Sequence, residues 1–547
     1  MTSAAGASRP AARSSLPPWA SAALLIAVVT LVARIIGLLR YFVLARTVGT
    51  TCLGDVYATA NSIPNIVYEV VVGGALAAVV VPLVAGARER HPTEVRATVA
   101  ALHGWALVLL MPVTAAMYLV SPWLIDLLLG SAPGCPSNSD QVATQMLWVF
   151  LLQIPVYGAT VIAMSALQAH HRFFSPAVAP AVSSLVVIGA YLTYDAMAGD
   201  AQGSLESLST AEFWVLAGGT TLAVLALLVV QIPALVRARL VVMPSLHFPS
   251  GRARKAWTLA WGGGVVVASQ WIAYAAAIGW SNRYGGEGSA LVFVLAWTLF
   301  LLPWALLAFP IATSTFPRLS ALHERGDTEE AARTTSTTTR TVAAASAAGG
   351  GAMAAAATPL AIVLVQGAPG VDAVPQLAAI LLALSPAVLA YGIHGHLVRV
   401  LAAGHRAPQA AAGTVIGWLV GLAVAWLGVR ASDGPVDVAR SVGIGFSTGL
   451  LLAAVLLGVA VVRLDGRHAL RRVPTVTAVA VLAGVAVGVV GHWLWSGEDV
   501  GIGVALAQAV LAGAVSLAAV GGAALLVDPE SARSLWQLRR LRSRAAR

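Results

Sequence analysis

Two arginines, Arg34 and Arg40, stand inside the apolar stretch ARIIGLLRYFVLAR. A charged side chain near the centre of a bilayer costs about 2.5–3.5 kcal/mol on insertion scales, so it normally faces a cavity or a partner. Six residues apart, the pair would lie about 9 Å apart along a helix axis and not on one strict face. That spacing lets them grip two parts of one large anion. Arginine's planar fork donates bidentate hydrogen bonds, which suits a diphosphate. The plainer alternative is that one or both snorkel to a lipid headgroup. It is the stronger rival for Arg40, which precedes Tyr41 and Phe42.

Two carboxylates follow. Asp55 opens the next apolar stretch and Glu69 lies well inside it. Asp55 could pair with an arginine of the first span, respond to protons or cations, or cap a helix N-terminus in an external loop; all three readings stand. Glu69 sits deeper, in NSIPNIVYEVVVGGALAAVVVP, among Pro64, Gly73, Gly74 and Pro82. Such residues can bend or break a helix that lines a cavity, although glycine also serves close helix packing. His394 and His396 have no cysteine or carboxylate at metal-ligand spacing, so no metal site is expected. Cys52 and Cys135 both fall in external loops. A disulfide is geometrically possible and redox-permitted there, and the reading leans to two free thiols. The chain carries no P-loop, no glycine-rich nucleotide cradle and no defensible Ser/His/Asp arrangement, so no enzyme activity and no cofactor are expected.

The elements that must position these residues are membrane spans. Of 547 residues, 58% are hydrophobic and only 10% charged, against about a quarter charged in soluble proteins. Fourteen apolar stretches fall near 20–45, 55–87, 97–122, 142–168, 174–194, 212–236, 256–280, 289–317, 341–365, 375–398, 409–429, 441–462, 473–496 and 500–527. Each is long enough for a crossing of about 20 residues. Their apolarity is continuous instead of alternating, which predicts helices and not a transmembrane barrel. Of the 32 arginines and one lysine, Lys255, Arg34 and Arg40 lie inside a span, Arg46, Arg283, Arg430 and Arg440 in the basic-poor loops, and the rest crowd into alternate loops. Because cytoplasmic loops retain Lys and Arg, both termini are expected in the cytoplasm, with the 88–96, 252–255 and 318–340 loops on that side. A net charge of +10 spread over loops suits anionic headgroups rather than nucleic acid.

The chain also repeats itself. VPLVAGARERHPTEVRAT after the second span matches FPRLSALHERGDTEEAAR after the eighth at an offset of 235, and His171–Arg172 matches His405–Arg406 at 234. Six spans separate the copies, so both halves enter the membrane in one orientation, the parallel-repeat arrangement of some transporters. The expected architecture is all-α, with fourteen transmembrane helices, two pseudo-symmetric six-helix lobes and two C-terminal helices. The expected divisions are a disordered N-terminus (1–19), an N-lobe (20–240), a C-lobe (241–465), an appendage (466–530) and a basic cytoplasmic tail (531–547).

ARIIGLLRYFVLARTVG followed by GDVYATANSIPNIVYEVVVGGALAAVVVPLV resembles the MurJ/MviN lipid II flippases, within the multidrug/oligosaccharidyl-lipid/polysaccharide exporter group. Arg34, Gly37, Arg40, Asp55, Pro64, Asn65, Gly74, Ala75 and Pro82 match that pattern. Tyr41, Tyr68, Glu69 and Gly73 depart from it, as do Trp297, Thr298 and Leu301 on the eighth span. The resemblance implies a flippase that moves a polyprenyl-diphosphate oligosaccharide, such as the peptidoglycan precursor lipid II, by alternating access. Arg34, Arg40, Asp55, Asn65 and Glu69 would be its substrate-binding residues. Its partners would be that substrate, membrane lipids and cell-wall synthesis proteins, in a bacterial plasma membrane. The alternatives are export of another polysaccharide-lipid or drug-like cargo, and a transport-inactive scaffold for envelope assembly.

Overall fold

A computed structural model of the chain describes residues 18–70, 92–130, 132–247, 252–495, 497 and 500–528. The helices, in order, are α1 (Pro18–Thr47), α2 (Cys52–Glu69), α3 (Pro92–Leu128), α4 (Ser139–Leu151), α5 (Gln153–Ala169), α6 (Phe174–Ala198), α7 (Thr210–Val229), α8 (Ile232–Arg237) and α9 (Arg252–Tyr284). Then come α10 (Ser289–Pro303), a π-helical turn (Trp304–Ala308), α11 (Phe309–Glu324), α12 (Thr328–Ala355), α13 (Ala357–Val365), α14 (Val374–Ala403), α15 (Ala407–Arg430), α16 (Pro435–Asp465), α17 (Val473–Trp495) and α18 (Ile502–Val527). Helix is the natural state for such sequences, because in hydrocarbon every backbone N–H and C=O must be satisfied within the segment.

Among the described residues, 12 helices are long and apolar enough to cross a membrane, or 13 when α12 and α13 are taken as one span bent by 63°. They coincide with thirteen of the fourteen predicted stretches. The remaining one, 55–87, is described only to residue 70, so Gly73, Gly74, Pro82 and residues 88–91 of the 88–96 loop lie outside the described residues, while 92–96 open α3.

Helices α1, α2 and α3 to α7 pack together, α1 against α6 and α2 against α4. Helices α14, α15 and α16 form a second tight set that α12 joins, and α17 and α18 lie against α12. Small residues let these backbones approach: Gly417, Gly421, Gly445 and Gly449 face one another between α15 and α16, where an added Cβ would fall under 3 Å from the neighbour.

The 318–340 loop is a correction. α11 runs to Glu324 and α12 starts at Thr328, so the stretch is nearly all helix. Arg340 is buried and bonded to Asp528 at 2.8 Å. Polar and charged residues extend the helices past the apolar core because their side chains reach water while the backbone stays helical.

The repeated His–Arg turn recurs in backbone detail. His171 and His405 both adopt left-handed φ, 56° and 58°. The N–H of Arg172 bonds to Leu167 O at 2.9 Å, and that of Arg406 to Leu401 O at 2.7 Å. This is the helix-ending turn in which an N–H reaches back five residues to free carbonyls. Arg239 and Arg472 form another left-handed pair, φ 56° and 60°.

Candidate substrate cavity

A cavity of about 800 Å³ is walled by α1, α2, α5, α6 and α7 of the first set and by α9 and α10, which pack against the second. Arg34, Arg40, Asn65 and Glu69 all line it. Among the described lining residues those two arginines and Glu69 are the charged ones. Arg34 is exposed and Arg40 half-buried. Neither guanidinium has a carboxylate within ion-pair distance among the described residues, so both remain available to an anion in the cavity. The Arg40 guanidinium lies 4.6 Å from the centroid of the Tyr41 ring, where the ring face attracts a cation.

The rest of the wall is aromatic and hydroxylic. The Tyr57 hydroxyl lies 2.8 Å from that of Tyr191 and 2.7 Å from Thr220 Oγ1. The Tyr157 hydroxyl donates to Asn65 Oδ1 at 2.9 Å, while Asn65 Nδ2 donates to Asn61 O at 2.8 Å. Tyr274, Trp271 and Trp297 close the opposite side, and buried Trp297 Nε1 and Asn61 Oδ1 have no hydrogen-bond partner among the described residues. Flat rings beside unmatched polar atoms suit a hydroxylated, amphipathic guest. The tyrosines were not singled out from sequence. The available signal was several phenols inside apolar spans, each needing a partner for its hydroxyl.

Asp55 is a correction. It is fully buried and does not line the cavity. Its Oδ2 accepts from Gly288 N–H at 2.7 Å and its Oδ1 from Leu291 N–H at 3.0 Å. The carboxylate therefore caps α10, a helix 233 residues further along, while Thr51 caps α2 itself by accepting from Gly54 N–H. Capping was the right chemistry on the wrong helix. A negative group there also meets the positive end of the helix dipole.

More bonds gather at this arginine-poor end. Cys52 N–H donates to Glu287 Oε1 at 3.2 Å, and Asn282 Nδ2 donates to Thr59 Oγ1 at 2.9 Å and Leu128 O at 2.8 Å. Thr50 and Val371 pair backbone to backbone, with Val371 N–H reaching Thr50 O at 3.2 Å. The approach requires Gly370, at φ 97°, because a Cβ there would stand 2.3 Å from Thr50 O. The cavity is thus sealed at the arginine-poor end, and its lining runs toward Gln168 and Phe173 at the arginine-rich end.

Cys52 and Cys135 are joined in a disulfide, which corrects the expectation of two free thiols. It ties the start of α2 to the connection between α3 and α4. His394 Nε2 lies 2.8 Å from Thr414 Oγ1 and His396 Nε2 3.0 Å from Thr338 Oγ1, so the Nε2 of each meets a threonine hydroxyl.

The model of the lipid II flippase MurJ family matches residues 44–524. A probable lipid II flippase MurJ of Synechocystis sp. is 28% identical over 203 residues, 36% of each chain. Its counterpart in Rhizobium meliloti is 28% identical over 168 residues, 30% of this chain and 31% of that protein. The chain thus aligns with about a third of the length of these curated relatives. Among solved structures, lipid II flippase MurJ in an inward closed conformation superposes with a TM-score of 0.67 at 17% identity, covering 90% of this chain and 98% of that one. An inward-facing multidrug resistance transporter of the MATE family gives 0.61 at 14% identity, covering 80% and 96%. With spans of this kind and a family match over most of its length, the chain is a multi-pass membrane protein that belongs to the lipid II flippase MurJ family.

Proposed function

We propose that this protein carries a polyprenyl-diphosphate oligosaccharide such as lipid II from the inner to the outer leaflet by alternating access, without making or breaking covalent bonds. The observation that carries this reading is the cavity that presents Arg34 and Arg40, with no carboxylate in ion-pair reach among the described residues, walled by α1, α2, α5–α7, α9 and α10 and sealed at one end. In this scheme the N-lobe (20–240) and C-lobe (241–465) rock against each other while 466–530 flanks them. The diphosphate docks on Arg34 and Arg40. Asn65, Tyr157 and the tryptophans meet the sugar, and Glu69 tunes charge in the same space. The arginine-rich end faces the cytoplasm, with both termini on that side, as the distribution of basic residues supports. Membrane lipids are then its surroundings and cell-wall synthesis proteins its neighbours in the plasma membrane.

Depletion of the protein should cause one lipid-linked precursor to accumulate on the inner leaflet, read by leaflet-selective labelling. Wild type should clear it. Arg34→Ala should not, although it inserts and accumulates normally, and Arg34→Lys should recover only part because a point charge cannot reproduce the bidentate grip. Normal clearance by Arg34→Ala would sink the docking scheme. A second cargo class, a drug-like cation, is favoured by one observation, the Glu69 carboxylate in the cavity wall. It predicts that no precursor accumulates and that efflux of a cationic dye falls.

A further inference from the structure

At the arginine-poor end the first helix set meets residues 282–291 and 369–371 through two separate pieces of chain. One piece is the start of α2. Beside the Asp55 cap on α10, Cys52 N–H bonds to Glu287. The Thr50 hydroxyl donates to Val371 O at 2.8 Å and its N–H to Pro369 O at 2.9 Å. The other piece is the end of α3 with the turn after it. There Arg283 Nη2, from the end of α9, donates to Asp126 O at 2.8 Å, and Asn282 Nδ2 donates to Leu128 O. Gly130, at φ 56°, lets the Arg283 side chain lie on the turn, because a Cβ there would stand 2.8 Å from Arg283 Nε.

The two pieces are unequal. The α2 contacts include a buried carboxylate with two N–H donors, whereas the α3 contacts are side-chain bonds to carbonyls, one of them from exposed Arg283. Water replaces a bond at an exposed guanidinium at little cost, and far less readily at a buried carboxylate. Left to itself, the end of α3 is the weak edge of the seal. That edge also leads inward. Asn282 Nδ2 bonds to both Leu128 O and Thr59 Oγ1, and Thr59 stands one turn of α2 from cavity-lining Ser62. Along the chain the two pieces lie 83 residues apart, and α2 leans on α4 more than on α3.

We propose that the Cys52–Cys135 disulfide welds these pieces into one gate, so that the end of α3 parts from α9 only when the start of α2 also leaves α10. The bridge lends the strength of the Asp55 cap to the weaker edge. Free energies of contacts that must break together add, so their opening probabilities multiply. A gate that opens as a whole or stays shut gives small ions no path through a half-open state. The inference rests on the reading that this end opens during alternating access, and not on which cargo is carried.

The test is labelling of Ser62→Cys by a membrane-impermeant thiol reagent from the arginine-poor face, in three settings of the bridge. With the bridge intact, Arg283→Gln and Asp55→Asn should each speed labelling, because every contact counts toward one opening. With Cys52→Ser and Cys135→Ser together, labelling should be faster on the order of tenfold or more, since the α2 contacts no longer hold the α3 edge. In that background Arg283→Gln should speed it further, while Asp55→Asn should add less than about twofold. The third setting keeps the bridge but slackens it, with two glycines inserted between Pro133 and Gly134, both exposed. It should behave like the cut bridge while remaining cross-linked, and it carries the test should the serine variant not fold. A general loss of stability would speed labelling without erasing the effect of Asp55→Asn, and that result overturns the weld. Unchanged labelling in the cut and slackened proteins, where Asp55→Asn still speeds it, overturns the weld alone. A rate that no variant moves refutes both the weld and the opening of this end.

Discussion

Replacing Asp55 by Asn should loosen the seal at the arginine-poor end. The carboxylate accepts two backbone N–H bonds, at 2.7 Å from Gly288 and 3.0 Å from Leu291, in a fully buried position. Asn keeps one acceptor oxygen and turns an amide N–H toward the other donor. It also removes the negative charge from the positive end of α10. Losing a charge-assisted bond costs about 1.5–3 kcal/mol, which corresponds to a shift of roughly ten- to a hundredfold in the ratio of sealed to open forms. The side-chain partners on α10 are backbone groups, so no neighbour can rotate in to compensate. The assay is thiol labelling of Ser62→Cys, a cavity position, with a membrane-impermeant reagent applied from the arginine-poor face. The native cysteines do not interfere, because they are bonded to each other. Labelling should be slow in the Asp55 protein and faster by at least about tenfold in Asp55→Asn. Equal rates in two folded proteins would refute the idea that this cap holds the lobes together.

Three further outcomes can be checked. Cys52→Ser should lower the unfolding temperature in detergent and make it insensitive to reductant, because a loop of 83 residues loses its closure, a loss of about 2–5 kcal/mol. Cysteines introduced at 137 and 203 should label from outside intact cells while those at 92 and 327 should not; the reverse pattern overturns the orientation. Glu69→Gln should raise the apparent affinity for an anionic cargo in a transport assay by removing a like charge from the cavity wall. An unchanged or weaker affinity would place Glu69 outside the binding step.

Much of the scaffold was legible because apolar runs of span length act locally along the chain. Arg34, Arg40 and Glu69 were legible for the same reason: a charge inside such a run is costly wherever the run folds, so it must meet a cavity or partner. Asp55 resisted because its partners are backbone N–H groups of residues 288 and 291, which leave no mark on residue type. The disulfide resisted because two cysteines 83 residues apart fix no distance until the hairpin between them folds. The break at Ala356 lies in GGGAMAAAATPLA, where glycine and alanine signal tight packing as readily as a bend. The tyrosine cluster required knowing that α2, α6 and α7 meet, since Tyr57, Tyr191 and Thr220 form one hydrogen-bonded group only in three dimensions.

The left-handed turns at His171 and His405 carry an evolutionary consequence. Each holds an L-residue in a conformation that usually favours glycine, and each precedes a helix in the same way, 234 positions apart. Arg239 and Arg472 repeat the pattern at 233. These four turns keep one backbone geometry across the two halves. Two recurrences of an uncommon backbone turn at nearly one offset are what duplication of an ancestral half would leave. Within the cavity wall the first half supplies Arg34 and Arg40 and the second Trp271 and Trp297, so the two copies differ where a guest would sit.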